Sequence, residues 1–313
     1  MWLRNRKELD RLLALNIDEN YSEVVRHLAN HEAPLDYLIS GELAQIQTFG
    51  IPSISKLLNR TKQYEEHGVK RLDDTRAILT ECLMDSVEST RGEHMVKHLN
   101  WIHSHYEISN GDYLYTLALF IVEPERWMNS FGYRSLSEEE KQAGFLAFKS
   151  LGEAMNIKDI PQTRAEFVTW YLDYRRQYMT YHTDNKKVTD GFIDGVREMF
   201  PFYFKPFIKP MILTLINDNE VLQATGQKPP AKIVQACIRG FMQLRKLSQK
   251  VINPWQTKSF ETSRIGQFYK SYPGGYQNNV LGPEKIVKNL KDEKSGKAVS
   301  SGCPYTKLKE MIS

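Results

Sequence analysis

Histidine is the side chain in this sequence best suited to hold a metal or move a proton, since its charge changes near neutral pH and its two ring nitrogens act separately. Five of the eight histidines, His67, His94, His98, His103 and His105, fall within forty residues. A helical wheel drawn over residues 93–106 at about 100° per residue separates them. Met95, Leu99, Ile102 and Tyr106 form one apolar arc with His103 at its edge, while His94, His98 and His105 share another stripe with Trp101. A histidine directed into a helical core must have its nitrogens satisfied by a hydrogen bond or by a metal. His103 therefore has two readings, a neutral ring bonded to a backbone carbonyl or a metal ligand. His94 and His98 stand one turn apart and with Glu93 offer a zinc or iron site, but the HExxH arrangement is absent and a solvated stripe is the expectation.

Upstream, Arg71 and Thr75 are four residues apart on one helix face that continues through Ile78, Leu79 and Cys82. An arginine heading such a face snorkels or pairs with a carboxylate, or else points into a pocket where its permanent charge and several donors suit a bound anion. Thr75 adds a hydroxyl donor. The residues alone leave both readings open.

The elements that must position these groups read as helices. Apolar residues recur at helical spacing up to about residue 250, and hairpin turns flanked by alternating residues are missing, so the fold class expected is all-α. Asn110-Gly111 reads as a loop leading to a helix N-cap, with a helix from about Asp112 to Phe120. That helix is apolar on all sides from Tyr113 to Val122 and should be enclosed by others, and Pro124 is expected to kink or end it. The acidic run Glu138-Glu139-Glu140 suits a helix start. Ile160-Pro161 and Phe200-Pro201 mark further boundaries. The aromatic, proline-rich stretch 200–216 is expected to pack as an irregular core wall, with a membrane surface as the alternative. After Trp255 the composition turns to Tyr, Gly, Pro, Asn and Lys, with helical character only near Glu284 to Leu290. We therefore divide the chain into a helical globular domain, 1–255, and an extended tail, 256–313, packing on the domain or partly disordered.

Composition bounds the partners. The 313 residues carry a net charge of +4, with 42 basic and 38 acidic residues scattered along the chain, which argues against nucleic acid and for solvated helix faces. Cys82, Cys237 and Cys303 are far apart and include no CxxC pair, so neither a disulfide framework nor structural zinc is indicated and an intracellular, reducing compartment fits. The first residues read as a short amphipathic helix with Leu9, Leu12 and Leu13 and not as an export signal. The longest apolar run is half of what a bilayer crossing needs, about 20 residues.

Several runs carry a resemblance: FGIPSISKLL (49–58), RLDDT (71–75), NWIHSHY and ISNGDYLYTLALF (100–120), EPERWMNSFGYRSLSEEEKQA (123–143), MNIKDIPQT (155–163), and PGGY with LGP (273–283). In order and spacing they resemble the rubber-oxygenase and mycophenolic-acid-pathway oxygenase family, and the fungal branch more than the bacterial latex-clearing branch. The resemblance implies a haem-dependent oxygenase that cleaves an isoprenoid or prenyl chain with dioxygen. Under it His103 corresponds to the proximal ligand of haem b iron, and Arg71 with Thr75 to the arginine and threonine of the haem pocket. Two features depart from the family pattern. Asp74 stands where the latex-clearing branch has a lysine able to cap the iron, and the N-terminal membrane segment of fungal members is not seen. The expected partners are a lipophilic small molecule and dioxygen, with peripheral membrane contact, in the cytoplasm or at the endoplasmic reticulum surface. The rival readings are a helical lipid-binding protein of the same fold without iron, and a non-haem metal enzyme built on Glu93, His94 and His98. A visible spectrum separates the three.

Overall fold

A computed structural model describes residues 3–293; the expectations for Cys303 and the end of the tail lie outside the described residues. Among the described residues fourteen α-helices follow one another: α1 (Lys7–Leu13), α2 (Ile17–His27), α3 (Pro34–Thr48), α4 (Pro52–Thr61), α5 (Gln63–Leu83), α6 (Thr90–His103), α7 (Asn110–Ser130), α8 (Glu138–Ala154), α9 (Arg164–Tyr178), α10 (Thr183–Glu198), α11 (Lys205–Ile216), α12 (Asn219–Ala224), α13 (Lys232–Val251) and α14 (Glu284–Glu293). Extended pairing among the described residues is confined to a single bridge between Leu3 and Ile252. The all-α expectation holds, and the helical segment read near Glu284 is α14.

Local chemistry sets the helix starts. The side chains of Ser89, Ser109 and Ser137 each accept a hydrogen bond from the backbone N–H three residues on, and Glu140 reaches back to the Ser137 N–H to complete a capping box. The acidic run thus opens α8 as expected. The helix placed at Asp112 begins two residues earlier, because Ser109 is the cap.

Pro124 does not end α7, which runs on to Ser130. A proline inside a helix removes one backbone hydrogen bond at a cost of about 3 kcal/mol or more. Here α7 lies between α3, α8 and α9 and buries Leu117, Leu119, Trp127 and Met128, and this packing outweighs the local penalty. Buried polar pairs fix the same helix to α3: Gln47 donates to Glu123 at 2.6 Å, and the Trp127 indole donates to Asp36 at 2.7 Å.

Helices α5 and α10 meet closely through glycine. A Cβ at Gly68 would sit 3.1 Å from the Gly191 carbonyl oxygen and from the Gly195 Cα, and one at Gly191 would sit 2.8 Å from the Tyr64 carbonyl oxygen. After Trp255, the described residues pack on the helices. Tyr269, Tyr276 and Leu281 are buried in one cluster with Ala77, Cys82, Met95 and Ile102, so they cover α5 and α6.

The stretch 200–216 divides. Ile212 to Ile216 are buried, as the core-wall expectation has it, but Phe200, Phe202, Tyr203, Phe204 and Phe207 are exposed. That half of the expectation is wrong: a turn after Pro201 and the first turn of α11, which Pro206 opens, project the rings from the body.

A candidate active site between helices five and six

Helix α5 carries two kinds of chemistry on two faces. On the wheel, Lys70, Asp73, Asp74, Ala77 and Glu81 lie together, and the structure turns them to the tail. Asp73 accepts from the Ser271 N–H at 2.8 Å, and Asp74 accepts from Lys70 at 2.8 Å and from the Tyr272 hydroxyl at 2.5 Å. Glu81 accepts two bonds from Arg91, each 2.8 Å, and a third from the Tyr276 hydroxyl at 2.8 Å. Asp74 therefore serves as an anchor for the tail, and its carboxylate is already engaged by a cation and a hydroxyl.

Arg71 and Thr75 occupy the other face. The guanidinium donates to the Thr75 hydroxyl, which in turn donates to the Arg71 carbonyl at 2.9 Å. The same guanidinium lies 5.5 Å from the Tyr64 ring centroid, a cation–π distance.

His103 is the last residue of α6. It keeps partial exposure, whereas His94 and His105 are exposed, so the order of burial read from the wheel is observed. Its Nδ1 is enclosed and has no hydrogen-bond partner, and its ring packs 5.4 Å from that of Tyr113. Burial, and secondarily the Arg71 charge, push its pKa down from 6.5 to about 4, so the imidazole is neutral at physiological pH. The carbonyl partner of the simpler reading is missing. A neutral, enclosed ring nitrogen without a hydrogen-bond partner has the chemistry of a metal ligand.

The Arg71 charge also acts on Tyr106 of the loop after α6 and on Glu42 of α3. Burial pushes the Glu42 carboxyl up to about 7, against the opposing pull of Arg76 and Arg71. Glu42 nonetheless keeps partial accessibility, as does His103. Both side chains are thus desolvated by their neighbours while each keeps some accessible surface. Glu42 was missed in the sequence, where one acid in the segment GELAQIQTFG looks like an ordinary solvated position.

The alternative trio does not assemble. Glu93 is exposed and paired with Lys97 at 2.6 Å, and His98 Nε2 lies 2.8 Å from the Leu281 carbonyl oxygen while its ring stacks on Trp101. No group of three His, Cys, Asp or Glu side chains converges for a metal among the described residues. A groove of about 900 Å³ opens between α5 and α10, lined by His67, Lys70, Asp190, Asp194 and Tyr272 among others, and a second of about 620 Å³ lies against α1 and α2. Neither is lined by His103, Arg71 or Thr75.

Residues 50–247, which include Arg71, Thr75 and His103, match the family model described as ER-bound oxygenase mpaB/B'/Rubber oxygenase, catalytic domain. The chain belongs to this family. It is 30% identical over 268 residues to the ER-bound oxygenase mpaB' of Penicillium brevicompactum, covering 80% of this chain and 63% of that protein. To the ER-bound oxygenase mpaB of the same organism it is 36% identical over 191 residues, covering 55% of this chain and 49% of the relative. With mpaB of Penicillium roqueforti the identity is 33% over 212 residues, covering 62% and 71%. The chain thus spans roughly half to two-thirds of the length of the first two relatives. Among the described residues no helix is long and apolar enough to cross a membrane.

Proposed function

We propose that this chain is an oxygenase domain that holds haem b through His103 and acts on a lipophilic, isoprenoid or prenyl-bearing molecule. The observation that carries the reading is the His103 ring: neutral, with Nδ1 enclosed and unpartnered, and within the field of Arg71. A neutral imidazole is the form that ligates iron. Haem, when bound, supplies the redox chemistry that activates dioxygen.

The chain's own residues have separable tasks. His103 fixes the position of the cofactor. Arg71 contributes a permanent positive charge, held in place by Thr75 and the Tyr64 ring, which suits an anionic group such as a propionate or a polarised oxygen. Thr75 orients that charge through its hydroxyl. Glu42, with its carboxyl near neutrality, can hold or release a proton at the same pH at which the protein works. The apolar side chains of Ile78, Leu79 and Leu99 on α5 and α6 favour a lipophilic substrate and exclude water. The relatives are named ER-bound, which supports a place at the endoplasmic reticulum surface for this chain as well.

The purified chain, expressed with haem precursor, tests the reading through its visible spectrum and iron content. A Soret band with iron bound stoichiometrically is the expected result. Iron without a Soret band supports non-haem chemistry, and neither supports a lipid-binding role.

A further inference from the structure

Helix α13 is attached to the body by a narrow stripe. Met242 is buried, Ile238 packs against the core beside it, and Arg245 and Gln249 hold Asp36 with bonds of 2.8 to 2.9 Å. These residues recur at i, i+4, i+7 and i+11, so they form one face. The remaining circumference is open to solvent, and its apolar part is large. Ile233, Phe241, Leu244, Leu247 and Val251 lie within one arc of the wheel, with Phe241 64% and Leu244 67% exposed.

A row of apolar side chains of this length in water costs free energy unless something covers it. The charges on the helix indicate what. Lys232, Arg239, Arg245, Lys246 and Lys250 are its charged residues, and it has no aspartate or glutamate. Lys232, Arg239, Lys246 and Lys250 fall on one side of the wheel, flanking the apolar arc. Helix α11 packs on α13, and the turn leading into α11 together with its first residues presents Phe202, Tyr203, Phe204 and Phe207 to solvent, Phe207 being 67% exposed. An apolar arc bordered by cations and accompanied by exposed aromatic rings matches the surface of an anionic bilayer, where rings and aliphatic chains enter the acyl boundary and lysines meet phosphates.

We infer that α13 and the 200–207 turn form a membrane-docking face that seats the protein on anionic phospholipid, with α13 lying in the plane of the interface. The face is a structural feature separate from His103 and stands whether or not haem is bound. It also gives a lipophilic substrate a route from the bilayer that avoids free diffusion through water.

The test uses the full chain with vesicles of phosphatidylcholine alone and of phosphatidylcholine mixed equally with phosphatidylserine. The wild type is expected to sediment with the mixed vesicles, more weakly with neutral ones, and to be partly released by salt. A variant with Phe241→Ser, Leu244→Ser and Leu247→Ser, all exposed positions, should lose about tenfold or more in vesicle affinity while keeping its helical circular dichroism and its visible spectrum. Lys232→Glu with Lys250→Glu should lose mainly the preference for phosphatidylserine. Wild-type protein that stays in the supernatant overturns the inference, as does serine-variant protein that binds as well as wild type. Loss of a dimer in light scattering by the serine variant, without vesicle binding by the wild type, assigns the face to a second copy instead. The unchanged spectrum separates failure of this inference from failure of the cofactor reading.

Discussion

His103 and Glu42 are both displaced from their ordinary protonation by burial, in opposite senses for stability. The folded protein holds His103 neutral with a pKa near 4, whereas the unfolded chain titrates near 6.5. Between those values the unfolded state binds more protons, so this residue makes the apo protein more stable as pH rises from about 4 to 6.5 and contributes no further change above. The full effect is about 3 kcal/mol at most. Denaturant unfolding of His103→Leu should show a flatter stability profile across that window than wild type. For Glu42 the folded pKa is raised from 4.5 to about 7, so the stability associated with its protonated form is complete below 4.5 and is lost as pH rises through about 7. Glu42→Gln should accordingly be more stable than wild type at pH 8, by up to about 3 kcal/mol, and equal to it at pH 4. A variant less stable than wild type at pH 8 would show that the Glu42 carboxylate is held by a cation and not raised in pKa by burial. The sequence placed His103 on the inner edge of its helix because the wheel needs only local periodicity. Glu42 was invisible, because the burial that raises its pKa, like the opposing charges of Arg76 and Arg71 some thirty residues away, comes from tertiary packing.

At the scale of elements, α5 is the member that links the site to the rest of the chain, since one face holds Arg71 and Thr75 and the other binds the tail. Its contact with α10 depends on backbone close approach. Gly191→Ala puts a methyl 2.8 Å from the Tyr64 carbonyl oxygen, and a loss of about 1–3 kcal/mol in stability is expected from the overpacking, read as a lower midpoint in thermal unfolding. On the other face, Arg91→Ala strips Glu81 of its cation and leaves the buried carboxylate with Tyr276 alone, which should cost about 3–5 kcal/mol and expose the tail to limited proteolysis. A variant with the wild-type melting temperature would contradict this role. Helix type and a few boundaries, such as the start of α8 at Glu138 and the break at Phe200-Pro201, were legible from caps, periodicity and proline. Pro124 does not end α7, one of the two outcomes read for it, because local propensity says nothing of the neighbours that enclose the helix, and the outward aromatic segment at 200–207 was misread because apolar content alone does not say which side of the chain meets the core.

At the scale of the molecule, the chain is a helical oxygenase-family domain whose proposed site sits between two helices that its own tail covers. Tail residues 269–281 bond α5 at Asp73, Asp74 and Glu81 and pack on α6 at Met95 and Ile102, a long-range docking that no local pattern announces. The central claim is that His103 holds haem. The measurement that tests it most directly is haem content per polypeptide from the Soret absorbance of His103→Ala beside His94→Ala, each shown to be folded by circular dichroism. The account predicts that His94→Ala, an exposed substitution, keeps the wild-type haem content and that His103→Ala loses it. Folded His103→Ala protein with a full haem complement and unchanged axial ligation would contradict it.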